Sequence, residues 1–258
     1  MNKLYCGDCL EVMAQLAVDK VKVDAVITDI PYGILDPKHN KWDVVIPLDQ
    51  MWAALAPLVH KKTPIILFGR QPFTSYLNLS NVRHFRYEIV WQKDKGSDFA
   101  NANRKPLNAH ENISVFYERQ PDYVRMSDPG EPYDRFQKTR TTFEHDVNFK
   151  GDNRGHWVNT GSRTPTSVRY YCRSSAKRIP VLHPTEKPIE LMEWLVQSYA
   201  LPGATVLDFT MGSGTTGVAC KKTGRDFIGI EKDDHYFEVA RKRIEGTRPV
   251  LKLVETDA

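Results

Sequence analysis

Cysteine is scarce in this chain: Cys6, Cys9, Cys172 and Cys220 are all there are in 258 residues. So few and so scattered, they exclude a disulfide framework. Cys6-Gly7-Asp8-Cys9 has the spacing of a metal or redox pair, but no second CxxC or HxxxH supplies the further ligands that zinc requires. No metal is expected, and the cysteines read as reduced residues near a strand end. Long apolar runs are missing as well. None approaches the roughly 18 to 20 residues that span a bilayer, and Met1-Asn2-Lys3-Leu4-Tyr5-Cys6 has no apolar signal region. No membrane partner is expected, and the location expected is cytoplasmic. Internal repeats and low-complexity tracts are also absent.

A strong excess of one charge sign is lacking from most of the chain. Residues 135–178 hold ten Lys/Arg and three Asp/Glu, a net of +7, whereas the remainder holds 26 Lys/Arg against 29 Asp/Glu, a net of −3. The positive excess thus lies in one segment, which suits a surface facing a polyanion.

What is present is apolar material for one large α/β core carrying an insertion, with 41% hydrophobic and 26% charged residues. Runs rich in Val, Ile, Phe and Tyr predict strands over 24–28, 64–68, 87–91 and 113–117. Met51, Leu55 and Leu58 have helical spacing within 48–59. Residues 119–180 lose this periodicity and read as an irregular insertion, with Phe136, Phe143, Phe149, Trp157, Tyr170 and Tyr171 among polar and basic residues. Order returns with a helix over 188–200, a strand over 205–209, a helix over 217–222, a strand over 227–230 and a helix over 234–245. Strands alternating with helices imply βαβ units and a parallel sheet.

Two turns carry chemistry. Val206-Leu207-Asp208 runs into Phe209-Thr210-Met211-Gly212-Ser213-Gly214-Thr215-Thr216-Gly217, which satisfies GxGxxG between a strand and a helix. Such glycines let the backbone approach a ligand, and an acidic residue, Glu231, ends the next strand, where ribose hydroxyls could be bound. NAD, FAD and S-adenosylmethionine enzymes share this pattern. The second turn is Thr28-Asp29-Ile30-Pro31-Tyr32-Gly33. An exocyclic amine of adenine or cytosine is a poor nucleophile, since its lone pair is delocalised into the ring. The Asp29 carboxylate and the Ile30 carbonyl are suited to accept its two N–H bonds. Pro31 stiffens the turn, and an exposed Tyr32 ring would stack on a flipped base. Methyl transfer from a sulfonium then depends mainly on positioning.

With these residues the chain resembles the DNA amino-methyltransferases that modify adenine N6 or cytosine N4. Asp29-Ile30-Pro31-Tyr32 is similar to their catalytic motif and Leu207 through Thr216 to their cofactor motif. His183-Pro184-Thr185-Glu186-Lys187-Pro188 matches a third segment. The order resembles the circularly permuted β group. That resemblance implies a Rossmann-like methyltransferase fold with a seven-stranded, mostly parallel sheet. It assigns residues 1–118 to the catalytic half, 119–180 to a target-recognition insertion and 181–258 to the cofactor-binding half. S-adenosylmethionine would be held at its methionine end by Asp208, Met211, Gly212, Ser213, Gly214, Thr215 and Thr216, with Thr185 and Lys187 nearby. Glu231 would bind the ribose, and Asp8 would lie near the adenine or else cap the helix over 10–16. Ile30 stands where a proline is usual, and Phe209-Thr210 where Pro-Phe is usual, so Phe209 or Met211 would replace the missing ring. Trp91, Gln92, Lys93, Asp94, Glu111 and Asn112 match positions near the target base, while His110 is expected to be packed. Double-stranded DNA is the implied partner; a homodimer and a cognate restriction enzyme are left open. Asp at the head of the catalytic motif favours adenine N6, with cytosine N4, or an inactive DNA-binding protein, as alternatives. A dehydrogenase would leave the catalytic turn and the third segment unexplained, and RNA or protein-glutamine methylation ordinarily has Asn in place of Asp29.

Overall fold

A computed structural model describes residues 2–33, 43–137, 155–172 and 186–249. The chain opens with β1 (Asn2–Cys6), α1 (Cys9–Val18), β2 (Ala25–Thr28), α2 (Leu48–Leu55), β3 (Ile65–Gly69) and α3 (Phe73–Ser80). Two long strands follow, β4 (Phe85–Ser97) and β5 (Asn108–Phe116), then four shorter ones, β6 (Asp128–Pro129), β7 (Tyr133–Gln137), β8 (Gly155–Asn159) and β9 (Ser162–Arg163). The remaining elements are β10 (Val168–Tyr171), α4 (Ile189–Tyr199), β11 (Thr205–Asp208), α5 (Thr215–Thr223), β12 (Asp226–Glu231) and α6 (Asp234–Gly246).

Two compact units result, Met1–Val124 with Ser167–Ala258, and Arg125–Thr166. In the larger, one sheet has the order β1-β12-β11-β2-β3-β5-β4-β10. Every neighbouring pair is parallel except those made by β5. The expected mostly parallel α/β fold is therefore present, with eight strands among the described residues instead of seven. The eighth, β10, comes from the segment read as irregular and adds to the edge of β4, with Val168 opposite Val90.

β2 and β3 are buried along their whole length, so both faces of the sheet centre are covered. Met13 and Leu16 of α1, Met51 and Leu55 of α2, and Phe73 and Leu77 of α3 form one cluster with Val26, Leu67, Leu207 and Ile228 of the sheet. α2 stops at Leu55, four residues before its expected end, just ahead of Pro57, and Leu58 reaches the core from a turn instead. Outside the segment read as irregular, β1 and α3 also have no counterpart in the predicted elements. β1 alternates weakly because it is a half-exposed edge strand, and α3 has no side-chain cap. Among the described residues no helix is long and apolar enough to cross a membrane, and no group of three or more His, Cys, Asp or Glu is placed to hold a metal.

In the smaller unit β6 pairs with β9 and β7 with β8, both antiparallel. The Arg163 guanidinium lies 4.9 Å from the Tyr133 ring centre. None of the unit's described residues is buried, so these residues show strand pairing without a core.

Candidate active site

β11 lies between β2 and β12, all three parallel, with Leu207 opposite Val26 and Asp208 opposite Gly229. β1 continues the same direction, with Cys6 opposite Glu231. Parallel pairing brings the carboxyl ends of four strands to one edge, and the loops bearing Asp8, Asp29, Asp208 to Gly214, and Glu231 all emerge there. This is the edge where α/β sheets bind ligands.

Asp208 is only 3% exposed. Its carboxylate accepts the Thr28 hydroxyl at 2.6 Å, the Thr216 hydroxyl at 2.5 Å and the Thr210 N–H at 3.2 Å. Burial pushes this carboxyl up to about 6, and the Thr216 and Thr28 hydroxyls restrain the rise. Gly212, at φ +51°, has open space where a side chain would stand, and its N–H donates to Glu231 Oε2 at 2.8 Å. The other Glu231 oxygen accepts the Asp233 N–H at 2.9 Å, and burial raises this carboxyl too.

Two further loop glycines are held to glycine by packing. A Cβ on Gly214 would stand 2.9 Å from Ala240 Cβ, and one on Gly217 would stand 2.4 Å from Ile244 Cδ1, both on α6. Arg243 of α6 donates to the Ser213 and Thr215 hydroxyls at 3.2 and 3.1 Å and pairs with Glu186 at 2.5 Å. Phe209 lies in the core cluster at 1% exposure, so it is not a substitute ring facing a ligand. Met211 is also buried, its sulfur filling the space that Gly229 leaves. Asp8 caps α1 by accepting the Leu10 N–H at 3.0 Å, and its second oxygen meets Lys232 Nζ at 3.1 Å. Thr185 lies outside the described residues.

Asp29 follows β2 directly. Its Oδ1 accepts the Tyr32 hydroxyl, and its Oδ2 accepts the Lys187 ammonium. Tyr32 is half-buried, not exposed as expected, because its ring tilts against Phe73 with centres 5.5 Å apart. The N–H groups of Tyr32 and Gly33 both donate to Asp43 Oδ1 at 2.9 Å. The Ile30 side chain is anchored in the core, which fixes the peptide whose carbonyl was singled out. The Thr210 hydroxyl donates to the Asp29 carbonyl oxygen at 3.1 Å and lies 2.7 Å from Thr28 Oγ1, which links the glycine loop to the turn after β2.

Lys187 stands between two carboxylates, on Asp29 and 3.2 Å from Glu111 Oε2. Glu111 Oε1 in turn pairs with Lys93 Nζ at 2.5 Å. Burial pushes the Asp29 carboxyl up, Lys187 pulls against it, and Glu111 adds to the rise. Burial alone would lower Lys187, but Asp29 and Glu111 hold the ammonium above its ordinary value. His110 is exposed, not packed. The sequence reading gave no role to Thr28, Thr210 or Asp43. Thr210, noted there only as a departure, was the available signal.

A family model described as DNA methylase matches residues 23–242, a span that takes in both loops and Lys187. The type II methyltransferase M1.MboII of Moraxella bovis is 25% identical over 256 residues, covering 93% of this chain and 95% of that protein. A crystal structure of an M1.HpyAVI–SAM complex matches with a TM-score of 0.65 at 27% identity, covering 95% of this chain and 99% of that one. The cytosine-N4-specific PvuII DNA methyltransferase shares the fold, with a TM-score of 0.64 at 14% identity over 94% of this chain and 86% of that one. A site joining a glycine loop to an Asp-Ile-Pro-Tyr turn, inside a match that spans most of the chain, places this protein in the N6/N4 DNA methylase family.

Proposed function

We propose that this chain transfers a methyl group from S-adenosylmethionine to the exocyclic N6 of adenine in double-stranded DNA, acting on a base turned out of the helix. The observation that carries the reading is the joining of two loops at one sheet edge: Thr28 and Thr210 tie Asp208 of the glycine loop to the backbone of Asp29. The residues present suit the cofactor. Gly212 has open space beside it, Glu231 offers a carboxylate to hydroxyl groups, and Asp8 stands at the end of the adjoining strand. Bound there, S-adenosylmethionine would supply an electrophilic methyl group on a positively charged sulfur.

The chain's own residues do the rest by position. The Asp29 carboxylate and the Ile30 carbonyl accept the two N–H bonds of the amino group, localising its lone pair towards the methyl carbon. An incoming amine takes over the acceptor now used by the Tyr32 hydroxyl, and the Tyr32 ring stacks on the base. Asp29 stabilises positive charge developing on nitrogen, whose proton leaves to Asp29 or to water. Asp at position 29 favours adenine on the family resemblance. Residues 119–180 are the segment proposed to recognise the target, their basic side chains facing phosphate.

Incubation with duplex DNA and methyl-labelled S-adenosylmethionine, followed by nucleoside mass spectrometry, tests this. N6-methyldeoxyadenosine is expected. N4-methyldeoxycytidine would overturn the choice of base, and no incorporation would overturn the reading.

A further inference from the structure

Asp29 does not stand alone. Four buried or half-buried charges alternate in sign: Asp29, Lys187, Glu111 and Lys93, with side chains 24, 7, 13 and 7% exposed. They come from four places in the chain: the turn after β2, the segment before α4, β5 and β4. A buried ion is costly without a partner, and each member here has an opposite charge beside it. A lysine stem with a single partner has many conformations. Here the Lys187 ammonium is fixed from three sides, by Asp29, by Glu111 Oε2 at 3.2 Å, and by the Phe68 ring centre at 5.1 Å. Lys93 is fixed in the same manner, 2.5 Å from Glu111 Oε1 and 5.3 Å from the Trp91 ring centre.

We propose that Lys187, held from behind by Glu111 and Lys93, is a positioning residue that keeps Asp29 ionised and aimed for the amino group. This rests on the methyl-transfer reading above. A carboxylate can take N–H bonds on both oxygens only when ionised, and burial works against that state at Asp29. The other ionisable groups facing Asp29 do not supply a counter-charge. The Tyr32 phenol is neutral, its ionisation pushed well up by burial and by Asp29 itself. Asp43, which takes the Tyr32 and Gly33 N–H groups, and Asp208, further along the edge, are acids. The counter-charge beside Asp29 is the Lys187 ammonium.

The test is a carbon-13 carboxyl titration of the cofactor-free protein, with the Asp29 signal assigned through D29N. In K187M the Asp29 midpoint should rise by about one pH unit or more. In K187M/E111Q it should rise less, because removing the Glu111 charge removes part of the repulsion. Should K187M fail to fold, the charge-balanced double variant decides by itself, and its midpoint must also lie above wild type. A midpoint that moves by less than about 0.3 unit overturns the inference. Activity gives the second arm. The acid limb of kcat against pH should move up with the carboxyl, while the dissociation constant for S-adenosylmethionine stays within about threefold. A loss of cofactor binding beyond about tenfold would make Lys187 a cofactor contact and overturn the inference. A wild type that methylates no DNA overturns the methyl-transfer reading, whereas the carboxyl titration decides the role of Lys187 separately.

Discussion

Asp208 ends β11 and Asp29 follows β2, so two acids occupy neighbouring loops of one sheet edge. Asp208 is closed in by neutral donors, two threonine hydroxyls and a peptide N–H. Asp29 is met by a lysine and a phenol and keeps a quarter of its side chain accessible. Neutral donors satisfy a buried carboxylate but leave its ionisation costly, which is why Asp208 rises to about 6. At Asp29 burial still raises the carboxyl, but a fixed cation offsets part of that cost while leaving lone pairs for a newcomer. The difference separates an acid that ties strands together from the one proposed to act.

Removing the acting acid should have the largest effect. Asp29→Ala is expected to lower methyl transfer by about 10³-fold or more, with cofactor affinity within about threefold. Incorporation of labelled methyl and calorimetric titration measure the two halves. If binding falls with activity, the division of labour between the acids disappears.

The tying acid should show itself in stability. With the folded Asp208 carboxyl at about 6, against 3.8 for an unperturbed one, the folded state binds this proton more tightly. That contribution is fully present below about pH 4 and is lost as pH rises through about 6. Denaturant unfolding should therefore show a wild-type loss of about 2–3 kcal/mol across this window that Asp208→Asn lacks. Equal slopes in the two proteins would mean that Asp208 titrates normally.

Glu231 stands between the two cases, since it takes two peptide N–H groups yet borders open space. Glu231→Ala should weaken S-adenosylmethionine binding by about 1.5–3 kcal/mol, as for a charge-assisted hydrogen bond. An unchanged dissociation constant would remove it from the site. Thr210→Val should give the smallest effect. It deletes the hydroxyl shared between Thr28 and the Asp29 carbonyl, at about 0.5–1.5 kcal/mol of stability. A fall in kcat with an unchanged melting temperature would show the bond serving alignment instead.

Much of this was legible in the amino-acid order. The fully buried β2 and β3 with their apolar runs, the glycine turn after β11 and the Asp-Ile-Pro-Tyr turn are local patterns. Their meeting was readable too, because strand-then-loop units open at one edge of a parallel sheet. What escaped was pairing between distant residues. Lys187 read as part of a cofactor segment, and nothing in its neighbours announces Asp29 or Glu111 as partners. The glycine pattern points to a ligand, and it does not reveal that Gly214 and Gly217 also answer to the bulk of Ala240 and Ile244 on a later helix. β10 hid because its strand exists only through the edge of β4.

The chain leaves the larger unit after Val124 and rejoins it at Ser167. Both crossing points are secured by main-chain bonds within that unit: the Val124 N–H to the Ser198 carbonyl at 2.9 Å, and the Val90 N–H to the Ser167 carbonyl at 2.8 Å. Such anchors are indifferent to side-chain identity. Replacing the stretch between them with that of a relative should leave the melting temperature within a few degrees. Under the proposed function, the two anchors would form a socket, in which successive specificities could be mounted on unaltered reaction machinery.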